Sequence, residues 1–576
     1  MRKLRYLIVL LVLIFCCAIA DAQQTPFERS QQRETATYDE IIQWYQQLSR
    51  HYPQIKLING GPTDSEDSLQ VVLLSADRQF DPATWHRQHK TVILINNGIH
   101  PGEPDGIDAS MMLARDWLTG KIKLPSNVAI AIISVYNTGG CRNRNSYTRA
   151  NQNGPIAYGF RGNAQNLDLN RDFIKQDARE ARSFSRLFHW LQPDMQIDTH
   201  VSDGADFQHV MTLISTQYDQ LGEPLGSWLK HQLLPDIVRR MQQTNWDIIP
   251  YVDFELSDFD KGMQMFFDTP RYSSGYASLF GCLSFIPETH MLKPFGQRVT
   301  ATYDLLKSFV QLASEKNDSI RLLRTAWMAA RSADSLYTIR WKPDSSRFSE
   351  IRFSGYETVQ RISEATQLPM MYYDHGKPYT KTVRFFDQYV PARQIRKPRY
   401  YVLPQGWPDV LERLQSNQVQ WKRLQQDSSI RVESYHIDAY TSSAKPYEKH
   451  HRNTQVQVSV KQENKLFRKG DYLISLDQPA SRYLMTALEP ESDDGFFAWN
   501  LFDGILQPKE GYSDYRWDEI AAEQLKKDSL LAAKLVVKKK EDPGFAQNGS
   551  AILRFIYENS IYFEKAFRQY PVYRIP

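Results

Sequence analysis

The stretch that most constrains this chain is Thr91–Glu103, TVILINNGIHPGE. Apolar and β-branched residues from Thr91 to Ile95 run into a polar turn ending His100-Pro101-Gly102-Glu103. Such a run predicts a strand buried on both faces, and Pro and Gly fix the tight turn after it. In an open α/β sheet, the carboxyl end of a strand is where sites form. A His and a Glu three residues apart on that turn can face one metal ion. Imidazole and carboxylate suit zinc, and a hydrolytic zinc site takes three protein ligands and a water. The pair supplies two of the three. Alone, it equally suits a surface ion pair in a chain with 13 histidines.

The chain has 576 residues, enough for two or three domains and a large core. A net charge of +4 is too near neutral to imply nucleic acid or acidic lipid as partners. There is no phosphate-binding loop, no dinucleotide-binding glycine pattern and no repeat of fixed period. At the N-terminus, Arg2, Lys3 and Arg5 precede an apolar run from Tyr6 to Ala20. That run is short for a membrane span, and Ala20-Asp21-Ala22 fits a small-x-small cleavage site. Residues 1–22 therefore read as a signal peptide, with an uncleaved anchor as the alternative. Export to the periplasm or the medium follows, with no stable membrane insertion after cleavage. Cys16 and Cys17 suggest lipidation, but Phe15 stands where a small residue is needed. Cys141 and Cys282 are the remaining cysteines, read either as one disulfide or as two buried thiols.

Strands and helices alternate through the first half, which predicts a mixed, largely parallel twisted sheet flanked by helices. Helices are expected at Thr37–Tyr52, Asp105–Leu118, Arg179–Trp190, Pro224–Gln243, Phe295–Ala313 and Asn317–Leu336. Strands are expected at Ile55–Asn59, Leu69–Ser75, Thr91–Ile95, Val128–Val135, Met195–His200 and Leu283–Glu288. Residues 141–166 form a polar loop of a length usually tied to function. The α/β unit is placed at residues 30–320. Residues 321–576 read as an accessory region, β-rich with some helix, with short strands within 352–387 and 400–437 and no catalytic constellation. The lysine run near Val536–Glu541 reads as a solvated helix end.

Three further fragments carry chemistry. Asp198-Thr199-His200 ends a short strand, Asn166–Phe173 reads NLDLNRDF, and LSFIPETH delivers Glu288 after an apolar strand. Each alone has a structural reading: His200 a core histidine, Arg171 a surface cation, Glu288 a rim charge. Together, four strand ends deliver polar residues in a topology that gathers strand ends.

In this order, HPGE, NLDLNRDF, DTH and PETH resemble the zinc carboxypeptidase family (funnelins), over about residues 35–315. The resemblance implies that His100, Glu103 and His200 bind one Zn2+. It implies that Asp168 orients His100, that Asn170 and Arg171 bind a terminal carboxylate, and that Glu288 is the general base. It further implies an oxyanion-stabilising arginine among Arg142, Arg144, Arg149 and Arg161, of which Arg149 is best spaced. A substrate-binding tyrosine should lie in Pro270–Tyr276; Tyr272 and Tyr276 qualify, and Tyr276 is selected. His290 is either a rim residue or a structural partner. The implied partner is a peptide with a free C-terminal carboxylate, and activity should fall below about pH 6 as the histidines protonate. Alternatives are an amidase or deacylase of the same fold, acting on cell-wall peptides or N-acyl amino acids, or a non-catalytic binding protein. Asp258, Asp260 or Asp268 would suit a basic terminal residue, and Phe266 or Tyr272 an aromatic one. The oligomeric state is not legible.

Overall fold

The computed structural model describes residues 24–252 and 261–576. The expected leader, residues 1–22, lies outside them, as do Asp258 and Asp260.

A nine-stranded mixed sheet organises the first half. Its members are β1 (Ile55–Pro62), β2 (Ser68–Ser75), β3 (Thr91–Asn96), β4 (Val128–Ile133), β5 (Met195–Asp198), β6 (His200–Ser202), β7 (Met211–Ser215), β8 (Ile249–Pro250) and, after the separate β9 (Met263–Gln264), β10 (Leu283–His290). The order is β1-β2-β4-β3-β5-β10-β7-β8, and β6 runs beside β10. Strands β4, β3, β5 and β10 are parallel neighbours. The hairpin β1–β2 and strand β7 are antiparallel additions at either side.

Every residue of β3 and β4 is buried, because helices cover both faces. Side chains alternate with period two along a strand. Ile93 and Ile95 join a core with Met111 of the helix Asp105–Leu118 and Val299 of the helix Phe295–Glu315. Val92 and Leu94 face the opposite core with Phe184 and Phe188 of the helix Arg179–Leu191. Arg298 of the helix Phe295–Glu315 is fully buried and pairs with Asp105 at 2.9 Å. The same guanidinium donates to carbonyls of Asn153, Gly154, Met291 and Lys293, tying two loops near the site to the helix.

Both cores cross residue 320. Phe353, Val383, Phe385 and Tyr389 belong to the first. Tyr401, Ile437, Tyr483 and Tyr570 belong to the second. The second half is β-rich, as expected, but its strands are long rather than short. Ser349–Ile362 pairs with Pro369–Phe386, and Ser428–Ser442 with Asn453–Phe467. The edge of the Pro369–Phe386 strand takes β9 as a parallel partner.

Three further details differ from the sequence reading. The helix foreseen at Pro224–Gln243 runs from Leu225 to Gln243 and widens into a π turn at Leu229–Leu233. Pro235 explains this: it has no N–H to donate, and its ring pushes the preceding turn open. Strand β7 was unforeseen, since MTLIS, with three apolar residues among five after a polar loop, carries little periodic signal. Cys141 and Cys282 are both free and buried, so the disulfide reading falls. Among the described residues, no helix is long and apolar enough to cross a membrane.

Candidate active site

The carboxyl ends of β3, β5 and β10 lie side by side, as the topology requires. The turn after β3 brings His100 and Glu103; β6, after a one-residue break at Thr199, brings His200; β10 brings Glu288. Glu288 and His200 are direct register partners on adjacent parallel strands. Their proximity is therefore fixed by backbone hydrogen bonding.

Close approach at the turn needs small residues. A Cβ on Gly102 would lie 2.8 Å from Arg149 Cδ and 3.0 Å from the Gly159 carbonyl. A Cβ on Gly106 would lie 1.9 Å from Thr199 Oγ1. The loop after β4 thereby packs directly on the HPGE turn, and it carries Arg149 and Arg161 to the site.

His100, Glu103 and His200 are buried, and one candidate ligand atom from each lies within 4.8 Å of the others. His100 Nδ1 is 3.2 Å from Glu103 Oε1, and His200 Nδ1 is 3.0 Å from Glu103 Oε2. A carboxylate lies by the far nitrogen of each ring, hydrogen-bonded for His100 and at ion-pair distance without a hydrogen bond for His200. His100 Nε2 is 2.8 Å from Asp168 Oδ1, and His200 Nε2 is 3.4 Å from Asp198 Oδ2. Carboxylates on the outer nitrogens leave the inner lone pairs for a cation, the usual arrangement behind metal-binding histidines. His100 Nδ1 is buried without a hydrogen-bond partner, as a ligand atom awaiting an ion would be. Two imidazoles and a carboxylate fit zinc in charge and ligand type.

The electrostatics agree. Burial alone would raise Glu103, but His100 and Arg149 outweigh it and hold the carboxylate well below its usual range. Burial alone would lower His200, but Asp198 and Glu103 raise it well above the ordinary imidazole range. The cluster thus attracts positive charge, which a divalent ion would supply in place of protons. Desolvation alone would raise the partly exposed Asp168, but His100 and Arg161 hold it well below the carboxylate range.

Around this cluster lies a cleft of about 380 Å³ lined by Arg149, Arg161, Asn170, Arg171, Tyr272 and Glu288, among others. Burial, reinforced by the nearby Glu103 charge, pushes the Glu288 carboxyl up to about 8. Arg149 donates to Glu103 at 2.8 Å and to the Val201 carbonyl at 2.9 Å. Arg161 donates to Asp168 at 2.9 Å and reaches Glu103 at 3.5 Å. Asn170 Oδ1 is buried without a hydrogen-bond partner. Arg171 stacks on Tyr272, its guanidinium carbon 4.5 Å from the ring centre. Asp268 also lines the cleft, and burial raises it to about 7.

Of the residues named from sequence, His100, Glu103, Asp168, Asn170, Arg171, His200, Glu288 and Arg149 come together here. Tyr276 does not. It is fully buried in an aromatic cluster with Phe184, Phe188 and Phe280, and its hydroxyl donates to Asn417 at 2.7 Å. The helix Ser273–Ser278 turns Tyr276 into the core and leaves Tyr272, its N-cap, facing the cleft. His290 is buried against Phe207 and held down at about 4 by burial, which makes it a neutral packing residue. Sequence reasoning missed Tyr447 and Glu448, which touch Arg171 and Asp168 from more than 270 residues away. No local pattern marks them.

Two histidines and a carboxylate at strand ends, with a further carboxylate beside them in a cleft, are the layout of a single-metal hydrolase. A family model described as zinc carboxypeptidase matches residues 41–202. The chain is 23% identical to Carboxypeptidase 2 of Trichophyton equinum over 440 residues, covering 72% of this chain and 74% of the relative. Carboxypeptidase 2 of Trichophyton rubrum is 22% identical over 439 residues, with the same two coverages. Among solved structures, a metallo-carboxypeptidase from Burkholderia cenocepacia aligns with 15% identity and a TM-score of 0.34, covering 46% of this chain and 66% of its own, just under two thirds. Carboxypeptidase A from Helicoverpa armigera aligns with 15% identity and a TM-score of 0.36, covering 49% and 74%.

Proposed function

We propose that this protein is an exported zinc metallocarboxypeptidase that hydrolyses the C-terminal bond of peptides. The observation that carries this reading is the convergence of His100, Glu103 and His200 beside Glu288 and Arg171 in one cleft. Residues 30–320 hold the machinery, residues 321–576 are accessory, and residues 1–22 direct export.

His100, Glu103 and His200 would hold the ion, with Asp168 fixing the proton on His100 Nε2. Zinc bound there supplies Lewis acidity, which acidifies a water and polarises the scissile carbonyl. Arg171 receives the terminal carboxylate through its guanidinium edge, and Asn170 offers its side-chain amide beside it. This fixes the last residue and points the scissile carbonyl toward the cluster. Glu288 takes a proton from the attacking water and returns it to the leaving amine. Its raised pKa suits a group that must both accept and release a proton near neutrality. Arg149 stabilises the negative charge that develops on the carbonyl oxygen, with Arg161 as the neighbouring cation. Loss of one such donor costs about 3 kcal/mol of barrier.

The test is mass spectrometry of peptides that differ only in their last residue, incubated with and without a chelator. Release of single C-terminal residues, abolished by chelation and restored by zinc, supports the reading. Internal cleavage or release from the N-terminus rejects it.

A further inference from the structure

The carboxylate clamp is built from both halves of the chain. The strands Ser428–Ser442 and Asn453–Phe467 are joined by a loop whose tip, Tyr447–His450, lies against the segment 168–177. The Tyr447 hydroxyl accepts from Arg171 Nε at 2.9 Å. Glu448 accepts from the backbone N–H of Asp168 at 2.8 Å. His450 Nε2 is 2.7 Å from Asp177. Arg413, also in the second half, donates to Asp177 at 2.9 Å and to the Lys175 carbonyl.

The tip is held in a conformation that its residues disfavour. Tyr447 and His450 exchange backbone hydrogen bonds, and the two residues between them, Glu448 and Lys449, have φ of 48° and 74°. Glycine or asparagine normally occupies such positions. Strain of this kind persists only where surrounding contacts over-determine it, and it concentrates near functional sites. Trp499 supplies part of that support, stacking on Tyr447 and meeting His450 edge-on.

Arg171 is thereby fixed on three sides. Tyr272 lies under its plane. The Asn170 carbonyl takes Nη1 at 2.9 Å, and Tyr447 takes Nε. The remaining N–H groups are left for the cleft that Arg171 lines. A guanidinium binds a carboxylate well only when its fork is presented at the correct angle.

We propose that Tyr447 is a positioning residue for Arg171, so that the second half of the chain sets affinity for the substrate's terminal carboxylate. This rests on the carboxypeptidase reading. It predicts a defect confined to carboxylate binding, since Tyr447 touches neither the metal-site residues nor Glu288.

The experiment uses the full-length, zinc-loaded enzyme and its Tyr447→Phe variant, which keeps the ring on Trp499. The substrate is an acetylated dipeptide ending in the best-cleaved residue. Competing ligands are that free amino acid and its amide. Losing a hydrogen bond to a charged group should raise KM about tenfold and weaken inhibition by the free amino acid equally. Expected alongside are kcat within about twofold of wild type and unchanged inhibition by the amide. Unchanged KM and amino-acid inhibition overturn the proposal. So does equal weakening of both ligands with a fall in kcat, which marks a merely structural role. A wild-type enzyme that releases no terminal residue removes the underlying reading instead.

Discussion

The Asp168 carboxylate accepts a hydrogen bond from His100 Nε2 at 2.8 Å, and this contact decides which nitrogen of His100 faces Glu103. With the proton on Nε2, Nδ1 carries a lone pair toward the cluster. Asp168→Asn can still accept from His100 through its amide oxygen but loses the charge that raises ligand basicity. Metal affinity should fall by about 10- to 100-fold. Competition with a zinc-binding dye measures it, and an affinity equal to wild type would show that Asp168 serves only to anchor Arg161.

Glu288 must be deprotonated to act as a base. Its carboxyl stands near 8 because burial and Glu103 disfavour the charge. A bound divalent ion adds positive charge and moves that value down. kcat/KM should therefore rise with pH along an acid limb whose midpoint lies below 8. Glu288→Gln should lower kcat by about 10²- to 10⁴-fold and abolish the limb while zinc content stays unchanged. A pH profile of both proteins checks this, and an unaltered limb in the variant would assign it to another group.

Asp268 bears on selectivity. Its Oδ1 is buried without a hydrogen-bond partner, while its other oxygen accepts from Ser274. Burial raises it to about 7, so it is neutral below that pH and charged above it. Preference for a terminal lysine over leucine should increase from pH 6 to pH 8, by about tenfold if a charged hydrogen bond forms. Asp268→Asn should flatten the dependence. Competition between two peptides at a series of pH values reads the ratio directly, and a ratio independent of pH in the wild type would exclude Asp268.

Arg298 is a structural counterpart. Both it and Asp105 are buried, so removing Arg298 leaves the Asp105 charge with the Thr289 hydroxyl but no counter-cation. Arg298→Met should cost about 3–5 kcal/mol. Scanning calorimetry should show a clear fall in unfolding temperature. No shift would mean that the surrounding loops accept the loss by admitting water.

Much of the site was legible because it sits where sequence signals are strong. The runs at Val92–Ile95 and Leu283–Pro287 are largely apolar, and their polar continuations fall at the carboxyl ends of parallel strands. His100, Glu103, His200 and Glu288 needed only that topology to meet. Tyr276 was misassigned because sequence spacing does not say which side of a short helix faces the cleft; the N-cap position of Tyr272 does. Tyr447 was invisible for a different reason. Its role depends on a tertiary contact with Arg171 that no periodicity encodes. The same holds for the shared cores: Phe353 and Phe385 read as ordinary strand residues until their packing with Met211 and Phe207 is seen.

The central claim is that His100, Glu103 and His200 share one divalent ion. Anomalous diffraction at the zinc edge, from crystals of protein purified without added metal, tests it most directly. The expected result is one strong peak about 2.0–2.2 Å from a nitrogen of each histidine and an oxygen of Glu103. A peak coordinated elsewhere, or zinc-supplied crystals in which these side chains bind nothing, would contradict it.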